Sequence, residues 1–258
     1  MSSCLELRAG VATRNSEPRG GRSSVTRRAL GARHNLAVPL LPSFADLASD
    51  PEPGMDVLAL AMAAEFRIVD ARGTIAVLDV LGEDLSRTAS TTNGRPQELA
   101  IACGQLLGRE HGFAGDRERY DDPDNSMLDV VLSRRRGLPI LLSVIYIEVA
   151  RRADIPLVGV GLPGHFVVGH FGSDPPVLLD PFNGGVRIDA PVSESSVRPW
   201  HPHEIASRML NNLVASYQRR GDLTPAIRAA QMRLMLPAES SQRDTMNAEL
   251  RALQARLN

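Results

Sequence analysis

The chain has 258 residues, 43% of them hydrophobic, with a formal net charge of −1 and a mean hydropathy of −0.12. That is long and apolar enough for one large domain, or for one domain with a smaller helical appendage. No run approaches the roughly 18 uninterrupted apolar residues that a membrane span needs, so no membrane partner is expected, and a near-neutral body argues against an extended nucleic-acid footprint.

Every basic residue is arginine, in an alanine-rich chain, a composition that reflects a GC-rich genome more than arginine chemistry. Residues 1–44 carry seven of these arginines against Glu6 and Glu17, a net +5 that leaves −6 for the remainder. This Arg-, Ser- and Gly-rich stretch has no sustained periodicity and reads as a disordered tail or an overlong start. Its composition also suits a transit peptide, against which the two glutamates count, and no apolar stretch of secretory length follows. Cys4 and Cys103 sit in unlike settings and make no disulfide framework, which fits a reducing cytoplasm.

After the breaker run DPEPG, MDVLALAMAAEF turns helical, and TIAVLDVLGEDL and PQELAIACGQLLGREHG predict two further helices, the last closed by Gly112. A loop, FAGDRERYDDPDN, leads to Ser126–Asp129, whose spacing is that of a capping box opening a short helix. PILLSVIYIEVARR starts with proline at a position suited to the first turn. Its apolar residues surround the whole circumference, so it is expected to be the buried central helix, reaching water at Glu148, Arg151 and Arg152. LVGVGL, HFVVGHF and PVLLDPF then read as short strands divided by Gly and Pro. From Pro202 the chain is helical again to its end. Helices, strands, then helices predict an α+β fold, with a tail over 1–44, a domain over 45–200 and a helical segment over 201–258.

The two later strands carry His165 and Asp180. A turn centred between Gly172 and Ser173 sets residue 165 opposite 180, and one centred a residue later sets it opposite 182. Side chains alternate with period two, so either register puts His165 and Asp180 on one face. A carboxylate that fixes an imidazole tautomer is half of a nucleophilic triad. A structural His–Asp pair is nevertheless the commoner arrangement for that spacing.

The run RRRGLPILLSVIYIEVARRADIPLVGVGLPGHFVV, followed by LLDPFNGG, resembles the bacterial transglutaminase-like family usually called Sir-B-one, with a tetratricopeptide tail. HGFAGDRERYDDPDNSMLDVVLSRRRG and NLVASYQRRGDLTPAIRAAQ strengthen the resemblance, which covers roughly residues 45–240. It implies a papain-like core, a buried helix on a small antiparallel sheet, with the site where the helix N-terminus meets the sheet. In active transglutaminase-like enzymes a cysteine stands there two residues after a glycine, where the helix dipole favours a thiolate. Here Gly137 is followed by Leu138 and Pro139, and proline offers no nucleophile.

Ser143, one turn further on, and Cys103 are the substitutes to consider. A serine in a buried helix usually bonds back to a carbonyl, and Cys103 lies in what reads as an ordinary core helix. His201-Pro-His203 lacks further ligands, and Asp121, Asp122, Asp124 and Asn125 lack calcium-loop spacing, so no metal and no cofactor is expected. Arg134, Arg135 and Arg136 suit dipole compensation or a binding site for an anion or acidic peptide. Leu213, Val214, Tyr217, Gly221, Ala226 and Ala230 match one tetratricopeptide unit, which also offers a peptide groove. The expectation is a protein- or peptide-binding, regulatory module without the catalytic thiol. The competing expectation is an acyl-transfer hydrolase or transamidase that uses His165, Asp180 and Ser143 or Cys103.

Overall fold

The computed structural model describes residues 41–189 and 197–257, so of the expected tail over 1–44, residues 1–40 lie outside the described residues, while Phe44 already opens a helix. The fold is α+β. Helix α1 (Phe44–Ser49) is a helix the sequence reading missed, as it missed three two-residue strands; Ser43 caps it by accepting the Asp46 N–H at 3.2 Å. Helix α2 (Met55–Ala64) is buried almost throughout, and α3 (Ala71–Ala89) is amphipathic with Asp70 accepting the Gly73 N–H at its start. Helix α4 (Pro96–Cys103) runs on into a π-helical segment, Gly104–Glu110, and Gly112 leaves it with φ +71°.

A short parallel pair follows, β1 (Ala114–Gly115) with β2 (Arg136–Gly137), and between its strands stands α5 (Leu128–Arg134). The expected capping box at Ser126 is not formed. Ser126 closes a 3-10 turn over Pro123–Ser126, and α5 starts from Met127 without a side-chain cap. Asp129 instead turns one oxygen toward Arg67, at 3.5 Å.

Helix α6 (Pro139–Arg152) is the expected central helix, with Ile140, Leu141, Val144, Ile145 and Tyr146 at 0–1% exposure. It packs on an antiparallel sheet in the order β3 (Leu157–Leu162), β4 (His165–His170), β5 (Val177–Asp180), β6 (Val186–Arg187). Period-two alternation divides the sheet residues. Phe166, Val168 and Leu179 join the main core, whereas Val160, Val167 and Leu178 form a smaller cluster apart from it. Three further helices end the described chain: α7 (Pro202–Arg220), α8 (Leu223–Arg233) and α9 (Ser240–Leu257). Each packs on the next, with Leu213, Val214, Ala226 and Ala230 buried between them and Gly221 turning the α7–α8 corner at φ +79°. No described helix is long and apolar enough to cross a membrane.

The C-terminal end of α6 holds a buried ion cluster. Arg152 reaches Asp56 on α2 at 2.6 Å, Asp79 on α3 at 2.7 Å and Glu148 at 2.8 Å. Burial opposes the charge on Arg152, but the bonds to Asp79 and Asp56 outweigh it and hold the guanidinium protonated. Replacing Arg152 by Met would take from the buried Asp56 its closest counter-charge, leaving Arg151 at 3.5 Å, while Glu148 keeps Arg151 at 2.8 Å. The expected loss is about 3–5 kcal/mol in denaturant-unfolding free energy, whereas Arg87→Met at an exposed pair should shift it by less than about 1 kcal/mol.

His170, 4% exposed at the end of β4, accepts the Gly172 N–H at Nδ1 (3.1 Å), while its buried Nε2 has no partner. Burial holds its pKa below the ordinary value. The unfolded chain therefore takes the proton first, and stability falls as pH drops below about 6.5 and on through the folded pKa. Unfolding curves at neutral and mildly acid pH should converge in His170→Gln relative to the parent protein.

Candidate functional site

The strand register is the second of the two expected ones. Val168 pairs with Leu179 and Gly169 with Leu178, which places residue 165 across from 182. His165 and Asp180 meet all the same, with Nε2 and Oδ2 2.9 Å apart. The ring N–H does not point squarely at the oxygen, so the two atoms are in close polar contact without an aligned hydrogen bond.

Asp180 is held independently of the histidine. It caps the 3-10 turn Pro181–Asn183: Oδ1 accepts the N–H groups of Phe182 (3.0 Å) and Asn183 (3.2 Å), and Oδ2 accepts the Asn183 side-chain amide at 2.6 Å. Burial pushes its carboxyl up, but the contacts to His165 and Asn183 outweigh this and leave it below the usual carboxylate range. It is an anion at neutral pH, able to orient an imidazole.

Phe182 ties the pair to the start of α6. Its ring meets the His165 ring edge-on at 6.2 Å and lies against Gly115 of β1, where any Cβ would fall 2.2 Å from the ring. Strand β1 pairs with β2, and β2 leads directly into Leu138 and Pro139. Tyr120 and Arg117 complete the surround, at 6.0 Å and 5.0 Å from the same Phe182 ring. From the other side Arg208 of α7 donates to the His165 carbonyl at 2.9 Å and stacks on Phe166 and Trp200. A groove of about 1440 Å³ opens beside Trp200 and Arg208 and runs between α7 and α9 as far as Glu249.

The position where the resemblance expects a nucleophile holds Pro139, at the first turn of α6, with no side-chain cap. Ser143 is fully buried and donates to the Pro139 carbonyl at 2.9 Å. Cys103 is also fully buried, and burial pushes its thiol up to about 12. Among the described residues, no serine, threonine or cysteine is hydrogen-bonded to the His165 ring.

The residues expected to bind are engaged elsewhere. Arg134 pairs with Asp124 at 2.7 Å and Asp122 at 3.5 Å. Arg135 and Arg136 donate to the carbonyls of His111 and Gly112, the end of the π-helical segment. Tyr217 stacks on Phe66 at 5.7 Å, and burial pushes its phenol up to about 12. None of the four makes a hydrogen bond or ring contact with His165 or Asp180. His201 caps α7 through Nδ1, its ring 5.0 Å from that of His203, and among the described residues no group of three or more His, Cys, Asp or Glu stands close enough to hold a metal.

Phe182, Asn183, Tyr120, Arg117 and Arg208 were not singled out from the sequence. Asp180-Pro181 carried a readable signal, a side-chain cap followed by proline at the first position of a turn. Arg208 carried none, since 43 residues separate it from the carbonyl it holds.

Comparison with known proteins gives a consistent assignment. A family model described as the transglutaminase-like superfamily matches residues 74–215, more than half of the chain. A UPF0162 protein of Xylella fastidiosa is 38% identical over 164 residues, covering 64% of this chain and 58% of that one. A UPF0162 protein of Pseudomonas aeruginosa is 33% identical over 201 residues, 72% of each chain. F-box only protein 21 of Mus musculus is 33% identical over 93 residues, which are 36% of this chain and 15% of that protein. The chain thus spans little more than half the length of the Xylella relatives it matches. No solved structure matches it.

A buried thiol of raised pKa is inert. In a Cys4→Ser variant, Ellman's reagent should label Cys103 only at the rate of global unfolding, and the labelling rate should rise with urea in step with the unfolded fraction.

Proposed function

This chain belongs to the transglutaminase-like superfamily, and we propose that within it the chain works by binding a protein or peptide segment, as a regulatory or scaffolding module, and not by acyl transfer. One observation supports the reading: proline opens α6, at the position where the resemblance expects a thiolate, and neither Ser143 nor Cys103 is available in its place. Pro139 cannot attack a carbonyl. Ser143 spends its hydrogen on a backbone carbonyl inside the core, and Cys103 stays a neutral thiol at any physiological pH.

In this reading the surface around His165, Phe182, Tyr120 and Arg117 is a recognition surface. The partner segment lies across it and continues into the groove beside Trp200 and Arg208. The helices from Pro202 onward act as a tetratricopeptide-like unit that supplies one wall of that groove. Large rings and guanidiniums are suited to such a task, because they present wide contact area with few rotatable bonds per contact. The match to a fraction of a much longer F-box only protein supports a domain used as one part of a larger assembly. The cytoplasm, with its reduced cysteines, is the compartment this assigns.

A second reading keeps catalysis, and one observation favours it: an ionised carboxylate stands 2.9 Å from the His165 ring, the kind of partner that orients a general base. The two readings separate in one assay set. Purified protein should give only background transamidation of a glutamine donor by a fluorescent amine, and only background ester and peptide hydrolysis, with His165→Ala indistinguishable from the parent. An activity that His165→Ala abolishes, and that Asp180→Asn lowers about 10⁴-fold, would establish the enzyme instead, and Ser143→Ala would then name or clear its nucleophile.

A further inference from the structure

Behind the loop that carries Asp180 lies a second cavity, of about 200 Å³, that the binding reading leaves unused. One side is the π-helical segment that continues α4, and the other is the β5–β6 corner. Its walls are apolar, formed by Ile101, Leu179 and Val186, and its rim carries Gln105, Arg109 and Arg187. No carboxylate lines it. Arg109 makes no ion pair among the described residues, and the described partner of Arg187 is the exposed Asp189 at 2.9 Å, which a ligand anion can replace.

The floor is bare peptide. A Cβ on Gly104 would fall 2.3 Å from the Gly185 carbonyl oxygen, so only glycine lets the two backbones come this close. Behind Gly185 is the hydroxyl of Tyr146, 2.6 Å from the place a Gly185 Cβ would take. Tyr146 is fully buried and its hydroxyl has no partner. The Gly185 N–H in turn donates to the Asp180 carbonyl at 2.8 Å. The helix here closes with an N–H of His111 to the carbonyl of Leu106, a widened turn of the kind that recurs at functional sites.

We propose that this cavity is a binding site for a small organic acid: one carboxylate or phosphate group on a short apolar body. The guanidiniums of Arg109 and Arg187 take the anionic group, for which paired arginines are the geometrically matched donors. The wall of Ile101, Leu179 and Val186 takes the carbon body. The size limits the body to a few carbons, since drug-sized ligands occupy about 300–1,000 Å³. The site is independent of whether His165 is a base or a binding residue, so its failure leaves the binding reading untouched.

The test uses the full ¹⁵N-labelled chain and four probes: butyrate, butyl phosphate, n-butanol and inorganic phosphate, followed by amide chemical shifts. Butyrate or butyl phosphate should shift the amides of Gly104, Gly184 and Gly185 saturably, and whichever binds more tightly names the head group. n-Butanol and inorganic phosphate should bind about tenfold more weakly or not at all, because each lacks one half of the match. Arg109→Gln and Arg187→Gln change exposed side chains, so their spectra should otherwise match the parent, and each should weaken binding by about tenfold or more. Equal binding of n-butanol, equal binding of inorganic phosphate, shifts centred elsewhere, absence of saturation, or indifference to both arginine changes would each overturn the assignment.

Discussion

A helix with no polar face has to be enclosed on every side, and the arrangement of this chain follows from enclosing α6. The sheet covers one flank, while α2, α3 and α5 cover the others. Burying so many Ile, Leu and Val side chains favours folding by about 1.5–3 kcal/mol each relative to leaving them exposed. Hydrophobic burial alone does not fix how a cylinder turns about its axis. The ion cluster at the C-terminal end does: Arg152 can reach Asp56, Asp79 and Glu148 together only in one rotation of α6 against α2 and α3. Burial and the nearby Asp56 charge both raise the carboxyl of Glu148, and the two arginines next to it offset them. A cluster of this kind adds little net energy over an apolar one but sharply penalises misplacement.

Fixing α6 fixes its N-terminal end, and with it the place where the site is built. The loop after β5 is pressed in at two points by side-chain-free backbone. Phe182 sits on Gly115, and Gly184 and Gly185 sit on Gly108 and Gly104. Between those contacts the loop has almost no freedom, so Asp180 is delivered to His165 by packing and not by the attraction between them. On the far side Arg208 pins the His165 carbonyl, so a helix well outside the sheet helps to set the histidine's position.

Much of this was legible in the residues. The circumferential apolar pattern of Pro139–Arg152 read as a buried helix because burial on all sides is the one environment that tolerates it. The period-two strands around Gly172–Pro176 put His165 and Asp180 on one face in either register. What the pattern did not contain is what depends on distant partners. The three consecutive arginines looked free because nothing local pairs with them, yet two of them cap carbonyls 24 residues away. Helix α1 was lost because one six-residue turn has too few positions for a period to declare itself, even with Ser43 at its start. Ser126 read as a cap because the capping-box pattern does not register that Asp129 faces Arg67.

The His165–Asp180 pair also has a structural reason to exist, which the division of labour on Asp180 shows. Oδ1 is committed to the backbone, accepting the two N–H groups that close the turn through Phe182 and Asn183. Oδ2 alone faces the imidazole, with the Asn183 amide as its second partner. The turn therefore keeps the carboxylate for structural reasons, because a buried turn with two unpaired N–H groups would cost about 1–3 kcal/mol for each. A carboxylate kept for that reason presents its other oxygen to position 165 whatever happens at position 139. The contact between His165 and Asp180 therefore follows from how the turn is closed, and it does not depend on a reactive group at position 139.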